Sequence, residues 1–205
     1  LINKFEYVNN KKYMIIDTET TGLPERPFVG SFYSYEDLNK YKDARMIQIC
    51  WAIYDDDKLE VLEDYIIKPN GFKITNSHIH GITYEHALLT GHNLNLVLTK
   101  LSQDIAKVKY IVGHNLRFDQ HIICSELYRS KFYDIIELIK QKEFICTMEK
   151  SIPLKVDGIL KPSKLINVHK FLFNKEFENQ HNAKADVLAT AAVFRELIKR
   201  QLVII

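Results

Sequence analysis

Residues 13–16, Tyr-Met-Ile-Ile, form an unbroken apolar run that stops at Asp17. A short apolar run closed by a polar residue reads as a strand buried in a sheet. Residues two apart in a strand face the same side, so Asp17 and Glu19 project together from the strand's end. Two carboxylates brought side by side repel unless a cation or a proton compensates. One segment therefore predicts both the start of a sheet and a place where negative charge collects.

Two further strand patterns follow. Met46 to Tyr54 (MIQICWAIY) and Leu59 to Ile67 flank Asp55-Asp56-Asp57, which reads as a hairpin turn, so three strands in succession predict an antiparallel meander. The pattern then changes period. Leu94, Val97, Leu98, Leu101 and Ile105 recur at helical spacing, and the run ends in a short buried strand over residues 109–113. Helices are predicted over 118–128, over 162–173 with Pro162 near the first turn, and from about 183 to 201. Asn182 can cap the last of these, and Ala185, Ala189, Ala191 and Ala192 let it approach a sheet closely. A meander followed by helix–strand–helix units describes a mixed α/β layer fold. No repeat or linker divides the chain. Residues 1–205 thus read as one domain, with a motif-bearing core over about 13–200.

Composition narrows the class. The 28 Lys and Arg nearly cancel 26 Asp and Glu, leaving +2, which argues against a purely electrostatic, histone-like binder. No apolar run reaches about 18 residues, which excludes a membrane-spanning helix. Cys50, Cys124 and Cys146 are an odd count without a CxxC pair, as expected of reduced thiols in an intracellular protein. Cytoplasm and nucleus or nucleoid are not distinguished by this. The start, Leu1-Ile2-Asn3-Lys4, lacks an initiator Met and a signal-peptide apolar region and reads as a trimmed or processed end, with no bearing on targeting. His78 and His80 have no further His or Cys at zinc-site spacing, so a structural zinc is not expected.

Three acidic segments stand apart: Asp17-Thr18-Glu19-Thr20-Thr21-Gly22-Leu23, His114-Asn115-Leu116-Arg117-Phe118-Asp119, and His181-Asn182-Ala183-Lys184-Ala185-Asp186. Asp119 and Asp186 each fall in the first turn of a predicted helix, a position that also suits the helix dipole. In this order and spacing the three segments resemble the DEDDh (DnaQ-like) family of 3′→5′ exonucleases, which includes the proofreading subunits and domains of DNA polymerases. Ile79-His80-Gly81-Ile82-Thr83 and Cys146-Thr147 resemble further elements of that family. A haloacid-dehalogenase-like phosphatase would need an Asp where Glu19 stands, and is rejected on that ground.

The resemblance implies a ribonuclease H-like three-layer fold, a mixed five-stranded sheet flanked by helices. It further implies hydrolysis at a free 3′ end of nucleic acid, with two divalent ions, Mg²⁺ or Mn²⁺, held by Asp17, Glu19, Asp119 and Asp186. A pair of such ions is a suitable clamp for phosphodiester hydrolysis. Asp17 is expected to bridge both ions, Glu19 and Asp186 to complete one of them, and Asp119 to support the other. His181 is the expected general base, swinging into place from outside its helix. Thr18, Thr20, Gly22, Leu23, His80, His114, Asn115 and Phe118 are expected around the substrate: Glu19 and the backbone near Thr20 at the 3′-OH, Leu23 as a wedge, His80 and Phe118 along the terminal nucleotide. DNA with single-stranded or frayed ends is the favoured substrate and RNA the alternative. A polymerase partner and a silent binding module are further alternatives.

Two regions have two readings each. The aromatic-rich segment 24–44 reads as a cover anchored over the sheet edge, or as a substrate-side flap. Arg26, Arg45 and Arg117 read as phosphate contacts or as solvated surface charges.

Overall fold

The structure, a computed structural model, describes residues 12–205. The expected processed end at Leu1 lies outside the described residues. Five strands form one sheet: β1 (Lys12–Thr20), β2 (Met46–Asp55), β3 (Lys58–Ile66), β4 (Tyr110–Gly113) and β5 (Glu143–Cys146), in the order β3-β2-β1-β4-β5. The β1–β2 and β2–β3 pairs are antiparallel, with Asp56-Asp57 as the hairpin turn between β2 and β3. The β1–β4 and β4–β5 pairs are parallel. The meander and the mixed α/β fold expected from the sequence are both present.

Alternation along the strands divides the core in two. Met14 and Ile16 of β1 and Ile49, Trp51 and Ile53 of β2 face helices α3 (Leu94–Ile105), α4 (Leu116–Arg129) and α5 (Tyr133–Lys140). Tyr13, Ile15, Cys50, Ala52 and Tyr54 face α7 (Leu165–Phe173) and α8 (Ala183–Lys199) on the other side. Short helices α1 (Ser77–His80) and α2 (Tyr84–Thr90) follow β3, and α6 (Thr147–Lys150) follows β5. No helix among the described residues is long and apolar enough to cross a membrane.

Three expectations are corrected. The helix predicted from Pro162 starts only at Leu165, because Lys164 is extended (ψ 151°) and the Ser163 carbonyl accepts a hydrogen bond from His114 Nε2 at 2.9 Å. Segment 24–44 does not cover a sheet edge, since the edges are β3 and β5. It lies against α4, where Phe32 stacks on His121 at 4.6 Å and the Tyr41 hydroxyl meets His121 Nδ1 at 2.9 Å. Arg45 is not a free phosphate contact, because its guanidinium forks the buried Glu126 carboxylate at 2.7 and 3.1 Å. Helix α5 and strand β5 had no expectation; β5 is four residues long with two of them exposed, so it carries neither a period nor an apolar run.

Candidate active site

The position of β1 in the sheet creates the site. Its parallel pairing with β4 reaches only Ile15, opposite Val112, while its antiparallel pairing with β2 runs on to Thr20. Past Ile15, one edge of β1 is therefore left open beside the start of α4. The Thr18 backbone N–H on that edge donates to Asp119 Oδ1 at 2.9 Å, and Thr18 Oγ1 donates to the same oxygen at 2.7 Å. A buried carboxylate from the first turn of α4 thus takes the place of a strand partner. Asn115 precedes that turn with φ 62°, a left-handed conformation Asn tolerates better than most residues.

Asp17 and Glu19 face the α8 side of the sheet. Gln48 of β2 sits directly across from Glu19. It is buried, and its Oε1 accepts from the Ala183 N–H at the first residue of α8 (3.2 Å) while its Nε2 donates to Asp64 at 2.8 Å. Asn182 caps the same helix through the Ala185 N–H at 3.3 Å. Together these bonds fix the first turn of α8 next to Glu19 and bring Asp186 to it. The His181 N–H donates to Asp186 Oδ2 at 3.3 Å, and ligand atoms of Glu19, His181 and Asp186 all lie within 4.8 Å of one another.

The charge state of this cluster follows from burial and crowding. Asp17 is pushed well above the usual carboxylate range, first by burial and then by Asp119, Asp186 and Glu19. Burial, with Asp186 and Asp119 adding repulsion, raises Glu19 to about 8. Asp119 rises to about 7 because burial outweighs the two Thr18 hydrogen bonds, and Asp186 rises to about 6, burial again exceeding the opposing effect of His181. No Lys or Arg among the described residues offsets any of the four. Four crowded carboxylates with one imidazole and no thiolate are a donor set that fits hard divalent cations.

The remaining expected residues divide by what they touch. A cleft of about 630 Å³ opens beside the cluster, with His114, Asn115, His181 and Asp186 in its wall. His114 is held at both ring nitrogens, by Thr147 Oγ1 at 3.0 Å and the Ser163 carbonyl at 2.9 Å, and burial lowers it to about 4, so the ring is neutral. His80 is buried and equally engaged: its Nδ1 accepts from the Ile82 N–H at 3.1 Å and its Nε2 donates to Asn76 Oδ1 at 3.1 Å. Asn76 in turn donates to the Thr20 carbonyl at 3.1 Å. Thr20 Oγ1 donates to the Gly22 carbonyl at 2.7 Å, and a Cβ at Gly22 would stand 2.8 Å from the Asp43 carbonyl oxygen, so that approach requires glycine. Phe118 packs partly into the core, and Leu23 is 70% exposed at the rim. Thr147 belongs to the Cys146-Thr147 element singled out in the sequence, whereas Gln48 and Asn76 had no expectation; Gln48 left a trace, as the one polar residue inside the apolar stretch of β2.

The sequence profile of a protein family described as Exonuclease (RNase T) matches residues 14–194. The chain belongs to this exonuclease family. It is an exonuclease domain of the DEDDh kind, with the ribonuclease H-like fold. Among solved structures, E. coli Exonuclease I in complex with a dT13 oligonucleotide superposes with a TM-score of 0.73 at 23% identity, covering 93% of this chain and 41% of that one. A zinc-bound form of the E. coli Exonuclease I–single-stranded DNA complex gives 0.72 at 22% identity, covering 93% and 41%. Exonuclease X in complex with 5′-overhanging duplex DNA gives 0.60 at 20%, covering 92% of each chain. The exonuclease domain described here therefore spans less than half of the Exonuclease I chains it resembles. No curated protein matches the chain.

Proposed function

We propose that this exonuclease removes nucleotides one at a time from the 3′ end of DNA, single-stranded or frayed, releasing nucleoside 5′-monophosphates. The observation that carries the proposal is the cluster of Asp17, Glu19, Asp119 and Asp186 without a compensating Lys or Arg among the described residues, beside a cleft open to solvent. Structural neighbours in complex with DNA oligonucleotides support DNA over RNA. Asp17, Glu19, Asp119 and Asp186 would hold two divalent ions, Mg²⁺ or Mn²⁺, which when bound neutralise the scissile phosphate and acidify the attacking water.

The chain's own groups then have separate tasks. Thr18 holds Asp119 in place through two hydrogen bonds. Gln48 and Asn182 hold the turn that carries Asp186. His181 is the general base. It stands next to Glu19 and Asp186, is exposed, and sits on a turn with φ 62° outside α8, where it can reach the water without moving the acids. Its ring takes the proton as the water oxygen bonds to phosphorus, and the bond to the 3′ oxygen breaks with the electron pair leaving on that oxygen. Leu23, exposed at the rim three residues beyond the end of β1 at Thr20, would meet the terminal bases. Three free cysteines, two of them buried, support a reducing, intracellular setting.

The test uses matched DNA and RNA oligonucleotides labelled at the 5′ or 3′ end, incubated with Mn²⁺ or with excess EDTA. A ladder shortening from the 3′ end in Mn²⁺ alone, faster on DNA, is the expected outcome. Internal cuts, or full activity in EDTA, would sink the proposal. His181→Ala is expected to lower the rate about 10²–10⁴-fold, the usual contribution of a general base, with little change in binding. Equal loss of rate and binding would remove His181 from that role.

A further inference from the structure

A second cleft, of about 640 Å³, lies between the end of β3, the start of α3 and the end of α4. Arg45, Lys68, Arg129 and Lys131 line it, and no Asp or Glu does. In a chain whose charges nearly cancel, that is a marked local excess. Arg129 sharpens the point: its Nε and Nη2 are buried without a hydrogen-bond partner. Glu126 Oε2 lies 3.3 Å from that Nε, but this carboxylate already accepts from Arg45 and from the Met46 N–H, so one anion faces two guanidinium groups. The cleft also receives the positive end of α3, a twelve-residue helix capped by Asn93.

The walls are tied to one another by direct contacts. The Lys68 N–H donates to the His92 carbonyl at 2.9 Å, and a Cβ at Gly91 would come within 2.6 Å of the Lys68 nitrogen, so the two segments pass in close contact. The Arg45 guanidinium lies 4.4 Å from the centre of the Phe72 ring.

The cleft also joins the acidic site through the backbone. The Arg45 carbonyl accepts from the Thr21 N–H at 2.9 Å, two residues beyond Glu19 and so about 7 Å of strand away. The wall containing Lys68 and Phe72 continues to Asn76, which is bonded to the Thr20 carbonyl. Two exposed lysines, two guanidinium groups that share the single Glu126 carboxylate and a helix N-terminus together are the chemistry that receives phosphate.

We propose that this cleft binds the sugar–phosphate backbone of a single strand a few nucleotides to the 5′ side of the bond being cut. The proposal rests on the reading of the acidic cluster as a 3′-end nuclease site. The cleft's cations would set the affinity for long strands and leave terminal-nucleotide contacts to the acidic site.

Lys68 and Lys131 are exposed, so Lys68→Gln/Lys131→Gln changes charge with little effect on the fold. Binding is read by fluorescence anisotropy in EDTA over a range of salt, using oligothymidylates of about 20 and about 3 nucleotides, chosen to exceed and to fall short of a typical single-strand site. The affinity for the longer strand is expected to drop roughly tenfold, and the slope of log K against log salt to fall by about 1.4, or about 0.7 for each lost phosphate contact. The shorter strand should lose far less, and Lys68→Arg/Lys131→Arg should restore the long-strand affinity. An unchanged slope, or equal loss on both lengths, overturns the proposal. Turnover of the p-nitrophenyl ester of thymidine 5′-monophosphate in Mn²⁺ separates the two readings, because that small substrate engages only the acidic site. If the parent hydrolyses it and long-strand binding ignores the lysines, the cleft proposal alone fails. If the parent binds the long strand through the lysines yet hydrolyses neither ester nor oligonucleotide, the nuclease reading falls, and with it the cleft's place upstream of a cut.

Discussion

Thr18 shows how much of the site depends on a residue with no chemistry of its own. Its backbone N–H and its hydroxyl both end on one oxygen of Asp119, 101 residues away. Hydrogen bonds to a charged group contribute about 1.5–3 kcal/mol each way they are lost. Thr18→Val keeps the shape and the backbone bond but removes the hydroxyl, so the rate on an oligonucleotide is expected to fall about 10–100-fold, as that energy implies when it is felt only at the site. Thr18→Ser should retain most of the rate. A Val variant with parental kinetics would show that Asp119 needs no such support. The four acids were legible in the sequence because each lies in a compact local pattern: two on one strand face, two in first turns. The role of Thr18 was not, since the residue that decides it arrives from a distant segment. The partners of His80 and His114 met the same limit, because burial and paired ring nitrogens are set by the loops around them.

At the level of elements, the decisive contact is between β2 and the start of α8. Gln48 and Ala183 are 135 residues apart, and their bond aligns the helix that carries Asp186 with the strand that carries Glu19. Gln48→Met has nearly the same volume but leaves the Ala183 N–H without a side-chain acceptor and Asp64 without its donor. A loss of about 1–3 kcal/mol in stability is expected from a buried group left unpaired. The reaction rate should fall further than that loss explains, because Asp186 moves with its helix. Urea denaturation beside steady-state kinetics tests this; a variant that is less stable but fully active would separate helix anchoring from catalysis. The meander, α3, α4 and α8 were all legible, each carrying either an apolar run or a sustained 3.6-residue period. Helices α1, α2 and α6 and strand β5 were not, being four to seven residues long and too short to carry a period; α5 has a helical period in Ile135, Ile136 and Ile139, but over only eight residues. The start of α7 was misplaced because Pro162 fits a first helical turn, whereas the His114 bond to Ser163 delays the helix.

For the whole molecule, the cluster opposes the fold when its carboxylates are charged. Glu19 at about 8 and Asp119 at about 7 hold protons more tightly in the folded chain than in the unfolded one. Their contribution to stability is complete at acid pH and is lost as pH rises through those values. His114 and His121, both lowered to about 4, act in the opposite sense, but only below their unfolded value of 6.5. Between pH 6.5 and about 8 the acids act alone, so the metal-free protein should melt at progressively lower temperature across that window. Mg²⁺ or Mn²⁺ should cancel the decline by binding the folded form. Asp17→Asn should raise the metal-free melting temperature near pH 8 while abolishing hydrolysis. Scanning calorimetry in EDTA and in Mg²⁺ is the measurement, and a flat profile in EDTA would clear the cluster of any cost to the fold. The central place of β1 has one more consequence. Because residues 13–15 of β1 lie between β2 and β4 and between two apolar layers, their amides can exchange with solvent deuterium only when the whole sheet opens. The amide of His181, on an exposed turn before α8, needs no such event. Deuterium uptake should therefore separate the root of the strand that carries Asp17 and Glu19 from the turn that carries His181 by orders of magnitude in rate.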